Sequence, residues 1–339
     1  KIWMNMMSDN QLKQIRKITI IGLGETGKLI SANLFSSPSK TYQLIGYDAD
    51  SDTHSKMKKS QFLDTTEWNL KTATQDADVI FISVPKIEVN ELLKNLNELV
   101  KDHCIIIDTS IFKKEILEYA DSIFTQNISF IGGSIIFNNE VKKETTNNYF
   151  VLIPSSKATS ESMDITVNLI KSIGLSPLFF DIDEYDNFMF ALYGLPNLIS
   201  TAYRNLMMDS PSWREIKKLY GSNFLKLAEI SLKEPEDANY IPFLKEKLPS
   251  DWINRFNENL AYFTESKNDS NKKIIKNSEI SRDKFFKLKE GINPNTDFSV
   301  KPNDLNHGML ELFLGSKLTG YFTNRGRIEN NKSQDKQQK

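Results

Sequence analysis

The chain has 339 residues, and its 43 Lys and Arg nearly balance 44 Asp and Glu, for a net charge of −1. This balance gives no electrostatic reason to expect nucleic acid or an anionic membrane as a partner. The sequence contains no apolar run of about 18 residues, which a membrane-spanning helix would need. The first residues also lack the apolar region of a signal peptide, so we expect a cytoplasmic protein. The length is sufficient for two domains that each bury a core.

Metal chemistry is not indicated by the residues that could support it. The sequence has one cysteine, Cys104, and three histidines, His54, His103 and His307. None of the histidines stands near another, or near a carboxylate, at the spacing of zinc ligands. Cys104 lies in the apolar run HCIIID, which predicts a buried strand residue.

Short β-rich runs alternate with helical patterns in the first half of the chain. Because these runs are apolar nearly throughout, we expect strands that are buried on both faces, as in a parallel sheet covered by helices. The predicted fold class is therefore α/β, with a doubly wound, mostly parallel sheet of the Rossmann type. The predicted strands cover residues 18–22, 44–48, 79–85, 104–108, 128–132, 150–154 and 177–181.

From about residue 183 the pattern becomes helical, which predicts a second, all-helical domain. Its first helix, over 188–208, is so apolar that it must be buried in its own domain or against a second subunit, and we expect a homodimer. The predicted boundaries are an extension over 1–16, a dinucleotide-binding domain over 17–182, a helical substrate and dimerisation domain over 183–316, and a disordered polar tail over 317–339.

A glycine-rich turn joins the first strand to the first helix, as the dinucleotide-binding fingerprint requires. In such a turn the first glycine permits a tight bend, the second leaves room for a pyrophosphate, and the third lets the helix pack close to the strand. Asp48 ends the next strand, where its carboxylate would accept from both ribose hydroxyls and repel a 2′-phosphate. This arrangement favours NAD over NADP. The turn consists of Gly22, Leu23, Gly24, Glu25, Thr26 and Gly27.

Two further loops follow predicted strands at the carboxyl ends where ligands bind in open α/β sheets. Ser83, Val84 and Pro85 end one strand, and Asp108, Thr109 and Ser110 end the next. We expect both loops to contact the cofactor, with Ser110 close to the reacting atoms.

The segments FIGGSIIFNNE and DEYDNFMFALYGLPN, taken with the preceding motifs, resemble the prephenate dehydrogenase family, which includes arogenate dehydrogenases. The similarity spans roughly residues 17–290 and includes Asp108, Lys113 and the pair Leu195-Pro196. It implies oxidation of the ring alcohol of prephenate or arogenate by hydride transfer to NAD(P), with loss of carbon dioxide, in tyrosine synthesis. The extension is too short for a mutase domain, so the resemblance is to the dehydrogenase module alone.

The resemblance also implies active-site residues, several of which differ in this chain. The family places a histidine after the double glycine and another after the LP pair, where this chain has Ser134 and Asn197. Glu140 keeps an acidic position. The family's serine after the fifth strand corresponds to Ile111, and its carboxylate-binding arginine falls in SNFLKLAE, at Leu225 or Lys226. We expect Asn197, Ser134, Ser110 and Glu140 to serve as the catalytic polar groups.

Three hypotheses follow from the sequence. The first is an NAD-dependent dehydrogenase of the prephenate type. The second is a catalytically silent NAD-binding homologue with a regulatory or assembly role, because serine and asparagine cannot usefully take up a proton. The third is a related dehydrogenase with a changed substrate, of the β-hydroxyacid or imine type, although the first turns of the long helix lack the lysine usual in β-hydroxyacid dehydrogenases.

Overall fold

The computed structural model describes residues 15–124, 127–136, 149–232, 250–265, 275–282 and 285. Within this part of the chain, eight strands form one sheet in the order β3-β2-β1-β4-β5-β6-β7-β8. β1 to β6 are parallel, β7 runs antiparallel to β6, and β8 is parallel to β7. The strands are β1 Lys17–Ile21, β2 Gln43–Tyr47, β3 Thr65–Glu67, β4 Val79–Ile82, β5 Ile105–Asp108, β6 Ser129–Ile136, β7 Tyr149–Pro154 and β8 Ser176–Phe179.

Helices follow most strands and cover both faces of the sheet, as connections between parallel strands require. The order 3-2-1-4-5-6 of the first six strands is that of the Rossmann fold, so the predicted fold class is confirmed. The α-helices are α1 Glu25–Phe35, α2 Ser51–Lys59, α3 Leu70–Thr74, α4 Lys86–Leu99, α5 Lys114–Ile123, α6 Ser160–Ser172, α7 Ile182–Met189, α8 Leu195–Met208, α9 Trp213–Ile216, α10 Ser222–Ala228 and α11 Ser250–Glu265.

Each of the seven predicted strands has a counterpart in the sheet, with bounds shifted by a few residues. The sequence pattern missed β3, because its three residues are polar or only half-buried at the sheet edge and carry no apolar signal. β6 continues to Ile136, four residues past its predicted end. Cys104 is fully buried, as expected.

Apolar side chains on the two faces of the sheet form two packed clusters. Val89 and Leu93 of α4 pack with Ile116 of α5 on one face, together with residues of α7. Ile30 of α1 and Leu169 of α6 pack on the other. The helices on either face therefore hold the carboxyl ends of β1, β4 and β5 in fixed relative positions, and the site lies at those ends.

The long helix that begins at Ile182 contains one wide turn. A π-helical segment, Phe190–Gly194, joins α7 to α8. Pro196 follows it and lacks the backbone N–H that a regular α-helix would use, which accounts for the change of hydrogen-bonding pattern at this position. The Asp181 carboxylate begins the helix by accepting from the N–H groups of Asp183 and Glu184.

All described residues used below belong to one compact unit of the chain. None of the described helices is long and apolar enough to cross a bilayer. Most of the N-terminal extension, the loop that carries Glu140 and the polar tail over 317–339 lie outside the described residues. The division into domains at residues 182 and 183 stays a prediction.

Candidate active site

The glycine turn between β1 and α1 is built so that two of its glycines are sterically required. Gly22 has a φ of 87° and donates its N–H to Tyr47 O at 2.9 Å, and a Cβ there would overlap the carbonyl oxygen of Ser83. A Cβ on Gly27 would overlap the carbonyl oxygen of Gly22, so only glycine lets α1 approach β1 this closely. A Cβ on Gly24 would meet no atom within 4 Å, so the space beside its backbone is open.

The amino end of α1 offers the first-turn N–H groups that the fingerprint predicts. Gly24 is the N-cap, and no side chain caps this helix. The unpaired N–H groups and the positive end of the helix dipole therefore remain available to an anion. Glu25 and Thr26 line the adjoining cleft. The side chain of Leu23 is buried in the core, and only its backbone N–H takes part in the site, as a donor to Asp48.

Asp48 lies at the carboxyl end of β2 and is held in place by two backbone groups. Its Oδ2 accepts from Leu23 N at 2.6 Å, and its Oδ1 accepts from Asp50 N at 2.8 Å. Asp50 in turn caps α2 by accepting from Thr53 N at 2.7 Å. The carboxylate that was predicted to bind ribose is thus oriented by the glycine turn itself, and each oxygen retains capacity for a further donor.

A cleft of about 970 Å³ runs along the carboxyl ends of β1, β2, β4 and β5. It brings together most of the residues predicted to contact a cofactor, and it continues along the loop after β5 as far as Phe112. The predicted residues that line it are Gly22, Gly24, Glu25, Thr26, Asp48, Ser83, Val84, Pro85, Thr109 and Ser110.

Hydroxyl groups link the two loops that follow β4 and β5. Ser83 Oγ lies 2.9 Å from Thr109 Oγ1, and Thr109 Oγ1 donates to Ile82 O at 2.9 Å. Ser110 Oγ donates to Asp108 Oδ1 at 2.8 Å. These bonds fix the floor of the cleft with backbone and side-chain groups that all lie at adjacent strand ends.

Asp108 forms a buried ion pair rather than a wall of the cleft. Lys113 Nζ donates to Asp108 O at 2.8 Å and to Asp108 Oδ2 at 3.2 Å, and both side chains are fully buried. Burial lowers the pKa of Lys113, and the Asp108 carboxylate opposes that shift. Asp108 was predicted to contact the cofactor, but in the structure its carboxylate holds Lys113 and Ser110.

The double glycine of β6 accommodates neighbouring side chains and does not bend the chain. β6 runs unbroken through Gly132 and Gly133 and pairs with β7 as far as Ile136. A Cβ on Gly132 would lie 2.9 Å from Lys113 Cδ, and one on Gly133 would lie 2.7 Å from Phe150 Cε1. The glycines are therefore required by packing.

Ser134 lies on the same face of β6 as Gly132 and faces Tyr185 of α7. The Tyr185 hydroxyl is buried and has no hydrogen-bond partner of good geometry among the described residues. Burial raises the pKa of Tyr185, and the Ser134 hydroxyl opposes that shift. Tyr185, which was not singled out from the sequence, thus remains protonated beside the position where the family has a histidine.

Asp186 connects the long helix to the loop after β5. Its carboxylate accepts from Lys113 N at 2.8 Å and from Lys114 N at 2.9 Å, so it caps α5 from another helix. Burial raises the pKa of Asp186, and the two N–H groups oppose that shift. The segment DEYDNFMFALYGLPN, which carries part of the family resemblance, therefore includes a residue that caps a helix more than 70 positions earlier.

Two of the predicted catalytic residues, Ser134 and Asn197, lie outside the described lining of the cleft. Asn197 is half-buried in the first turn of α8, and neither it nor Ser134 is among the described residues that line the cleft. Arg204 of α8 donates to Ala228 O at 3.2 Å and to Ser231 Oγ at 2.5 Å. A guanidinium thus stands at the end of α10, the helix in which Leu225 or Lys226 was expected at the position of the family arginine.

Lys86 is a cleft residue that the sequence reasoning missed. It directly follows Pro85 and lines the cleft, and its Nζ donates to Glu115 Oε2 at 2.7 Å. The signal was available, because Lys86 extends the strand-end loop Ser83-Val84-Pro85 by one residue. A solvated lysine at a helix start is common, however, and nothing in the sequence indicates its pairing with a residue 29 positions away.

The strand order, the glycine turn and the oriented acidic residue define a dinucleotide-binding protein of the Rossmann class. The family model for "Prephenate dehydrogenase, nucleotide-binding domain" matches residues 36–176. These residues begin after the glycine turn, so the model and the turn support nucleotide binding independently. The match agrees with the resemblance inferred from the sequence motifs, and over these residues the chain is similar to the nucleotide-binding domain of prephenate dehydrogenases.

Individual proteins of known activity are similar to longer stretches of the chain. The prephenate dehydrogenase of Bacillus subtilis is 21% identical over 239 residues, and the match covers 67% of this chain and 62% of that protein. The structure of Synechocystis arogenate dehydrogenase is 19% identical, with a TM-score of 0.60, and the match covers 79% of this chain and 99% of that one. The prephenate dehydrogenase of A. aeolicus, solved with hydroxyphenyl propionate and NAD+, is 17% identical, with a TM-score of 0.64, and the match covers 80% and 98% of the two chains.

Proposed function

We propose that this chain is an NAD-dependent dehydrogenase that oxidises prephenate or arogenate with loss of carbon dioxide, in the cytoplasm and for tyrosine synthesis. The observation that carries the proposal is the Asp48 carboxylate, which Leu23 N of the glycine turn holds at 2.6 Å. This arrangement combines an anion-binding helix end with an acceptor for ribose hydroxyls in one cleft.

The residues of the cleft fit an NAD molecule. The bare backbone of Gly24 and the first turn of α1 would hold the pyrophosphate, and Asp48 would hold the adenosine ribose. A 2′-phosphate would meet the negative charges of Asp48 and Asp50, which both line the cleft, so NADP is disfavoured. When bound, the cofactor supplies a hydride acceptor.

The substrate end of the site has hydrogen-bonding groups but lacks the histidines of the family. In this proposal Ser110, Ser134, Asn197 and Glu140 contact the reacting groups. Serine and asparagine can orient a hydroxyl, but they do not usefully accept its proton. The site therefore lacks the rate acceleration of about 10²- to 10⁴-fold that a general base supplies. Aromatisation of the ring favours the product strongly, and positioning alone accelerates reactions substantially, so we expect slow turnover.

A homodimer formed through the helical region is part of the proposal. Leu192, Leu206 and Met208 of the long helix are 64%, 70% and 49% exposed, respectively, and Leu219 near α10 is 84% exposed. So many large apolar side chains on one helical region favour a protein interface. Sedimentation equilibrium is expected to give twice the chain mass, and a monomer at all concentrations would contradict this part.

The direct test is the absorbance of the nicotinamide band after prephenate, and then arogenate, is added to the purified chain with NAD or NADP. We expect NADH to appear with at least one substrate and NAD to be preferred. Silence with both substrates, combined with normal NAD binding in calorimetry, would overturn the proposal and leave a nucleotide-binding homologue without this activity.

Asn197→His is the companion variant. It restores a proton acceptor whose free pKa is about 6.5, and we expect it to raise prephenate turnover. Asn205→His, an exposed position on the same helix, is the matched control and should leave turnover unchanged. Equal rates in the two variants and the unmodified chain would show that Asn197 does not face the reacting hydroxyl.

A further inference from the structure

Lys86 holds a positive charge at one end of the cleft. It is the first residue of α4, its side chain is 25% exposed, and its Nζ donates to Glu115 Oε2 at 2.7 Å. Glu115 belongs to the first turn of α5, which follows β5. The ammonium is therefore held toward the start of α5, on the β5 side of the cleft.

The charges of the cleft make this position distinctive. Among the described residues that line the cleft, Lys86 is the only one with a positive charge, and its companions include five carboxylates: Glu25, Asp48, Asp50, Glu88 and Glu91. An anion that enters is repelled along most of the wall and can be stabilised either by the N–H groups at the start of α1 or by Lys86. The first position suits a pyrophosphate, so a second anionic group is directed to Lys86.

The surroundings of Lys86 favour its protonated form, which can bind an anion but cannot accept a proton. Burial lowers its pKa, but the hydrogen bond that Lys86 donates to Glu115 and the nearby charges of Asp186 and Asp108 oppose that shift. These three carboxylates all stabilise the protonated form. Because an ammonium has no lone pair to accept a proton, Lys86 is suited to bind a carboxylate of the substrate.

We propose that Lys86 is the substrate-carboxylate binding residue of this chain, and that Glu115 positions its ammonium and competes with the substrate for it. The inference rests on the proposed function and deepens it, because it restricts the substrate to acids whose carboxylate reaches the β5 side of the cleft. It also provides a cation for a site in which the family arginine is replaced by Leu225 or Lys226.

Steady-state kinetics with prephenate and calorimetry with NAD test this inference together. A charged hydrogen bond contributes about 1.5–3 kcal/mol, so Lys86→Met is expected to raise KM for prephenate about 10- to 100-fold with the Kd for NAD within twofold. Lys86→Arg should keep most of the affinity. Glu115→Gln removes the competitor and should lower KM several-fold.

The matched control is a second lysine with the same geometry. Lys218 Nζ donates to Glu215 Oε2 at 2.7 Å, both side chains are exposed, and neither residue lines the cleft. Lys218→Met should leave KM unchanged. The KM of the unmodified chain should also rise at alkaline pH as Lys86 loses its proton, and Lys86→Arg should remove this rise because arginine stays charged.

The outcomes separate this inference from the proposed function. An unchanged KM in a folded Lys86→Met with normal turnover would overturn the role of Lys86 and leave the dehydrogenase proposal standing. A weakened Kd for NAD with an unchanged KM for prephenate would assign Lys86 to the cofactor and also overturn it. If the unmodified chain neither binds nor oxidises prephenate or arogenate, the proposed function fails and this inference fails with it.

Discussion

The side chain of Lys113 passes directly over Gly132, so that a Cβ on the glycine would lie 2.9 Å from Lys113 Cδ. Beyond this crossing, the Lys113 ammonium reaches Asp108 at the end of β5. The double glycine of β6 is therefore the space through which a fully buried lysine reaches its counter-ion. The chemistry of the site depends on this packing, because the same ion pair holds the loop that carries Ser110.

Replacement of Gly132 by alanine should displace Lys113. The added methyl group overpacks a fully buried side chain, which typically costs about 1–3 kcal/mol, and we expect the urea midpoint to fall accordingly. Gly24→Ala is the control, because its Cβ meets no atom within 4 Å. That variant should keep its stability and lose NAD affinity, since the methyl group occupies the space for the pyrophosphate. Equal stability of the two variants would contradict this account.

Removal of one partner of the buried Lys113–Asp108 pair should destabilise the fold more than removal of both partners. Lys113→Met leaves the Asp108 carboxylate buried without its counter-ion, which costs about 3–5 kcal/mol. The double variant Lys113→Met with Asp108→Leu should recover a large part of that loss. Denaturant unfolding of the single and double variants measures both effects, and additive losses would show that the two residues are not coupled.

Asp48 should set the choice of nicotinamide cofactor. Asp48→Asn still offers an oxygen to Leu23 N but loses the negative charge, so we expect the Kd for NAD to rise about tenfold or more. Repulsion of a 2′-phosphate falls at the same time, so the ratio of NADP to NAD affinity should increase. Asp52→Asn, at an exposed position in the first turn of α2, is the control. Calorimetry with each cofactor would contradict the assignment if the ratio stayed constant.

Cys104 should make the fold less stable in alkaline solution. Burial raises the pKa of its thiol from 9.0 to about 12, so the folded state retains a proton that the unfolded chain releases. The stabilisation is complete below pH 9 and is lost as the pH rises from about 9 to 12, by up to about 1.4 kcal/mol per pH unit. Cys104→Ala removes this contribution, and urea unfolding between pH 7 and 10.5 measures the difference in slope. Identical slopes would rule out the linkage.

The sheet and the cofactor end of the site were predictable because their signals are local. Apolar runs bounded by turns identified seven strands, and the glycine turn with Asp48 needs only a strand, a tight bend and an acidic residue at fixed spacing. β3 gave no such signal, because a short edge strand that is polar and half-buried has neither a buried run nor strict alternation.

The substrate end was less predictable because it depends on pairs that are distant in sequence. The bond from Lys86 to Glu115 joins residues 29 positions apart, and Asp186 caps a helix whose first residues precede it by 73 and 72 positions. The role of the double glycine is equally non-local, because the two glycines make room for Lys113 and Phe150. Local propensity does not reveal which side chain crosses a strand.

The Asp186 carboxylate accepts from two successive backbone N–H groups, those of Lys113 and Lys114. It therefore connects the loop after β5 to the helix that continues to Asn197. In the proposed function, this one carboxylate connects the helix that carries Asn197 to the loop that lies beside the cofactor.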